Sequence, residues 1–160
     1  MGIRWFYNNV LPKLSKKLQV DVVGRSIDFL REEFKNPQLT VVGFIGSLDD
    51  VYRQTDIIIA PIFDGGGMKV KCMEAVAYGK CIVGTSESMR GLWEEMDEIQ
   101  NKIVFQSDTA EGWIEILNKL AESDIYKYNA ELHKIFLEKY SYQAFFKSFQ
   151  EVLDHNGGLG

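Results

Sequence analysis

The chain has 160 residues, 46% hydrophobic and 26% charged, which suits a single ordered domain with a sizeable core and excludes a disordered chain. Its formal net charge is -5, with no basic stripe, so nucleic acid is not an expected partner: phosphate binding needs clustered cations to release counterions. The longest apolar stretch, around Ile57 to Phe63, is too short to span a bilayer, and the first residues carry no signal-peptide pattern, so a cytoplasmic location is expected.

In chain order, the first pattern is helix-like, with Trp5-Phe6 and Val10-Leu11 and no strand ahead of them. Residues 20–23 read as a strand. Ile27, Leu30 and Phe34 then predict a helix behind Ser26 as N-cap. A second strand falls at 39–42, and Ser47 with Asp50 looks like a capping box opening a short helix through Arg53. A third strand at 57–60 precedes a helix whose stripe is Val70, Met73 and Ala77, ended by Gly79. Strands at 81–84 and 102–105 follow. Asp108 and Glu111 are expected to cap a helix with Ile114, Leu117 and Leu120 inside. From Asp124 to Asp154 the pattern is helical, interrupted near Tyr140-Ser141. Ser141 is expected to cap a last helix carrying Phe145, Phe149 and Leu153, and 157–160 reads as a frayed end.

The strand runs are nearly continuous in apolar residues, as in strands covered on both faces. Their alternation with helices predicts an α/β fold: one Rossmann-like domain over 1–160, a doubly wound parallel sheet with helices on both faces and a helical tail over 124–154. Such a fold normally opens with a strand, so the chain is expected to be cut from a longer protein. Cys72 and Cys81 lack metal-ligand spacing and read as reduced packing residues. His133 and His155 lie in no motif and are expected on solvent-facing helix positions. Asp49 and Asp50 are better explained as first-turn helix acids than as a metal site.

The stretch most informative for chemistry runs from Ala60-Pro61 through Asp64-Gly65-Gly66-Gly67-Met68-Lys69 to Lys71-Cys72-Met73-Glu74. A strand ends, three glycines let a ligand approach the main chain, and a helix begins with unpaired N–H groups suited to a diphosphate. Lys71 and Glu74, three apart, share a helix face. A cation there suits phosphates, and a carboxylate suits the cis diol of a ribose. Each feature alone also has a purely structural reading, a mobile turn or a solvated ion pair. Their order is more specific than the parts.

That order is joined by Gly43-Phe44-Ile45-Gly46, Leu48-Asp49-Asp50-Val51-Tyr52, Lys71-x-x-Glu74-Ala75-x-Ala77-x-Gly79-Lys80, Ile82-Val83-Gly84-Thr85 and Gly91-Leu92. Together these resemble the C-terminal domain of GT-B glycosyltransferases of family 4, or group 1, over nearly the whole chain. The resemblance implies a domain that binds a nucleoside diphosphate sugar for transfer to an acceptor, in polysaccharide or glycoconjugate synthesis. Glu74 matches the second glutamate of the family's Glu-x7-Glu motif, which holds the donor ribose. The first falls at Gly66, so recognition of the transferred sugar does not carry over, and the family's retention of anomeric configuration is weakened as an inference. Loop amides of Gly65, Gly66, Gly67 and Met68, with Lys71, are expected to serve the donor instead. Gly43, Phe44 and Ile45 match the backbone framing the base. Arg25 reads either as facing that cleft or as a surface arginine.

Other implications follow from the resemblance. The segment after the family's first strand, which supplies an Arg and a Lys to the diphosphate, is absent here. So is the N-terminal acceptor domain, and no catalytic residue is assigned. No metal or cofactor is implied. Peripheral membrane association of the full-length enzyme and a homodimer are among its implications. The family's first strand lies inside the sheet, so without it either the flanking strands close the gap or unpaired edges remain to self-associate. Two alternatives stay open: a non-catalytic interaction or regulatory domain, and half of a nucleotide-sugar epimerase. A receiver-type domain needs an acidic pair after its first strand and an Asp ending its third, but Asp56 begins its strand. An epimerase cleft would be rich in histidine.

Overall fold

The protein is described by a computed structural model over residues 2–66, 69–92, 102–123 and 129–156, with the side chains of 149 and 152–156 outside that description. Its elements are α1 (Gly2–Asn9), a 3-10 turn (Leu11–Lys13), β1 (Val20–Val23), α2 (Leu30–Glu33), β2 (Leu39–Gly43), α3 (Asp49–Gln54) and β3 (Ile57–Ala60). They continue with α4 (Val70–Ala77), β4 (Cys81–Gly84), α5 (Ser86–Met89), β5 (Val104–Gln106), α6 (Ala110–Ala121), α7 (Ala130–Lys139) and α8 (Tyr142–Asn156). Every strand pair is parallel and the strands alternate with flanking helices, the Rossmann-like α/β character the sequence predicts.

The strands form two sheets, β1-β2 and β3-β4-β5. β1 and β3 are not paired with each other, so the flanking strands have not closed into one sheet. Central β4 is wholly buried, whereas Ile57, Ile58 and Ile59 of β3 are half-exposed, as are Val20, Val22 and Val23 of β1. The core gathers Phe6, Val10 and Leu11 against Val76, Ile82, Val83, Trp113, Leu117 and Leu132. Trp113 anchors it twice: its ring meets Phe6 edge-on at 5.9 Å, and its indole N–H donates to the Ser107 carbonyl at 2.7 Å. Cys72 and Cys81 are buried and unpaired, as expected of packing residues.

Several local expectations are corrected. The helix after Ser26 is a single turn, and Ser26 caps nothing: it is exposed, in the left-handed region at φ 54. The predicted reciprocal box at α3 is absent, since Ser47 Oγ accepts from Asp49 N and the N-cap is Leu48. Asp49 and Asp50 do occupy the first turn of α3. On α4 the buried face is Cys72, Ala75 and Val76, while Val70 is 68% exposed. The fifth strand starts two residues later than predicted. Thr109, not Asp108, caps α6, accepting from Gly112 N at 3.2 Å; Asp108 instead accepts from Ser86 N, at the start of α5. His133 is half-buried, its Nδ1 2.5 Å from the Ala77 carbonyl, so it faces α4 rather than solvent. Ser141 caps α8 as expected, accepting from Ala144 N at 3.1 Å. Residues 124–128 and 157–160 and the side chains of Phe149, Leu153 and His155 lie outside the described residues.

Candidate functional site

The link from β3 to α4 carries the predicted chemistry, and the fold fixes its approach at three points. The helix α1 starts against it: a Cβ built on Gly2 would run into the Pro61 carbonyl oxygen. The Thr85 hydroxyl, at the end of β4, donates to the Ile62 carbonyl. Phe63 meets Trp5 edge-on, with ring centroids 4.7 Å apart. The chain then turns through Gly65, whose φ of 124 is strained for any residue with a side chain.

Gly65 and Gly66 are exposed, and Gly67 and Met68 lie outside the described residues. The Lys69 ammonium bends back over the loop, donating to the carbonyls of Gly65 at 2.9 Å and Gly66 at 3.3 Å. It also meets Glu87 Oε1 on α5 at 3.1 Å, with both side chains only 12% exposed. Arg90 meets the other Glu87 oxygen at 2.5 Å. Lys69 is the N-cap of α4, and its carbonyl accepts from both Cys72 N and Met73 N. The loop is thus folded onto the start of a helix whose first N–H groups lack intrahelical partners, an arrangement suited to an anion.

Lys71 is exposed on the first turn of α4, and Glu74, one turn on, is half-buried. Glu74 Oε2 accepts from the Tyr52 hydroxyl of α3 at 2.6 Å. Burial, then the Glu74 carboxylate beside it, pushes the Tyr52 phenol far above the ordinary tyrosine range. Tyr52 stacks on Tyr78 at 4.9 Å and 10° between planes, and the Tyr78 hydroxyl donates to Asp49. Lys80 Nζ donates to the Arg53 carbonyl at 3.1 Å. The helices following β2 and β3 are therefore clasped together.

At the ends of β1 and β2 the predicted residues also meet. The Arg25 guanidinium lies 4.6 Å above the Phe44 ring, which is 60% exposed. With Ser26 they line an open hollow of about 380 Å³. Gly43 is buried at φ 92, opposite Val23 where the β1-β2 register shifts, and Ile45 is half-buried beyond it. Arg31 secures the end of β2, donating to the carbonyls of Val41 at 3.1 Å and Val42 at 3.0 Å. Arg25, Gly43, Phe44, Ile45, Gly65 and Gly66 thus lie at or just beyond the carboxyl ends of parallel strands, where open α/β sheets take ligands, and Lys71 and Glu74 lie on the helix that follows β3.

Sequence reading missed Lys69 and Tyr52. The signal for Lys69 was its place directly after the glycines, at the point where the helix must begin. Tyr52 stood in a recognised segment, one turn into a helix whose first-turn acids drew the attention.

The fold is a Rossmann-like α/β arrangement of parallel sheets flanked by helices, consistent with one half of a GT-B architecture, with a glycine-containing link between its third strand and α4. The family model for glycosyl transferases group 1 matches residues 1–123, and the chain belongs to that family. No curated protein matches it.

Proposed function

We propose that this is the donor-binding domain of a glycosyltransferase that takes a nucleoside diphosphate sugar and passes the sugar to an acceptor. The observation carrying this reading is the start of α4, where an exposed glycine turn precedes the helix, the cation Lys71 is exposed on its first turn and the Glu74 carboxylate lies one turn further along. The helix dipole and loop amides suit the diphosphate, and Glu74 suits the ribose diol. Phe44 under Arg25 offers a flat, cation-backed face for the base. Helix end and cations neutralise the leaving diphosphate, so no metal is assigned.

In the whole protein the acceptor is held by a second, N-terminal domain, and the product is a polysaccharide or glycoconjugate made in the cytoplasm. Among the described residues no helix is long and apolar enough to cross a membrane, and any membrane contact of the whole protein is taken as peripheral. Transfer requires donor and acceptor to be held together, and residues 1–160 supply the donor side of that pairing.

Calorimetry against UDP, GDP and ADP tests the reading. At least one binds without added metal, and Glu74→Ala loses about one to two decades of affinity, the worth of a charged hydrogen bond to ribose. Equal affinity in wild type and variant would remove Glu74 from the site.

A further inference from the structure

We infer that Tyr52 is a positioning residue, holding the Glu74 carboxylate in one orientation toward the donor's ribose diol. The inference deepens the proposed donor site and rests on Glu74 having that role.

A glutamate on a helix surface samples many rotamers, and a diol must find both its acceptors at once. Here one oxygen is taken by the Tyr52 hydroxyl at 2.6 Å, the length of a hydrogen bond to an ionised acceptor. No hydrogen bond to the other oxygen, Oε1, is found among the described residues, and the side chain is half-exposed. The tyrosine is well placed to act as a fixed post. It is 5% exposed, and its ring is stacked flat on Tyr78, which is tied in turn to Asp49 at the start of the same helix. The bonds Tyr52 to Glu74 and Tyr78 to Asp49, with the stacked rings between them, join α3 to the C-terminal half of α4, so the tyrosine is held in place independently of its bond to Glu74. Burial and the carboxylate hold the phenol protonated well above the ordinary range, so it donates at every working pH. A carboxylate bound this way keeps lone pairs on both oxygens for a cis diol.

The test separates positioning from a merely structural strut. Affinities of UDP, GDP and ADP and of their 2′-deoxy counterparts are measured on the wild type, Tyr52→Phe, Asp49→Ala and Glu74→Ala. The wild type prefers the ribose form, and Tyr52→Phe weakens ribonucleotide binding about five- to tenfold while leaving the deoxy form within about twofold. Asp49→Ala, at an exposed side chain, removes the acceptor of the Tyr78 hydroxyl, loosens the stack and narrows the preference in the same direction, which keeps the test usable should Tyr52→Phe fail to fold. An unchanged ribose preference in both variants, or an equal loss for both sugar forms, overturns the positioning role. Should Glu74→Ala keep full ribonucleotide affinity, the donor-site reading itself falls. If Glu74→Ala loses it and Tyr52→Phe does not, only the present inference falls.

Discussion

Lys69 and Glu87 place an ammonium and a carboxylate almost out of water, and the glycine loop hangs on the first of them. Glu87→Ala strips the nearly buried cation of its counter-ion, leaving only two carbonyls, and should cost about 3 kcal/mol, the usual penalty for removing one partner of a buried pair. Urea unfolding measures it, with Glu87→Gln losing less because an acceptor remains. A Glu87→Ala chain as stable as wild type would show that the loop carbonyls suffice. The two thiols give a pH prediction. Burial pushes Cys72 up to about 11, against a smaller opposing pull from Lys69, and Cys81 up to about 12, both from 9.0. The folded chain therefore keeps protons that the unfolded chain gives up. That contribution to stability is complete below about pH 9 and is lost as pH rises through the folded values. Thermal melts should hold level from about pH 8 to 9 and fall from there to about pH 11, and a double Cys→Ala variant should fall less. In the native chain both thiols should resist a thiol reagent until unfolding.

At the scale of single elements, α4 ends in a paired closure: Gly79 N donates to the Val76 carbonyl and Lys80 N to the Ala75 carbonyl, both at 2.9 Å, with Gly79 at φ 60. Gly79→Ala should destabilise by about 1 to 2 kcal/mol, the cost of a side chain in the left-handed region, read as a lower melting temperature. This helix end was legible because only glycine closes a helix so cheaply. The strands were legible too, since near-continuous apolar runs such as Ile57 to Ala60 have one reading. Helix starts were legible at Ser141 but not at α2, α3 or α6. Asp108 and Thr109 are both good acceptors, and only the approach of α5 decides that Asp108 takes Ser86 N while Thr109 caps its own helix. The same limit applies to the candidate site. Lys71 and Glu74 could be paired by helical spacing, but Lys69 with Glu87 and Tyr52 with Glu74 lie 18 and 22 residues apart and meet only through the fold.

At the scale of the molecule, the described strands form two parallel sheets, with half-exposed isoleucines on β3 and half-exposed valines on β1. Strands with unpaired edges and apolar flanks recruit other strands. The chain should therefore self-associate as its concentration rises, as sedimentation velocity would register. A clean monomer throughout would mean that neighbouring loops already shield those edges. Gly2 has a more practical consequence. Because α1 begins hard against the Pro61 carbonyl, a tag or carrier fused ahead of it must leave the fold a few residues from the glycine turn. An N-terminal tether, or attachment to a sensor chip by that end, would crowd the same mouth that binding measurements probe. One fused beyond α8 departs from a helix packed on α7, and immobilisation by that end is the sounder choice for every titration proposed above.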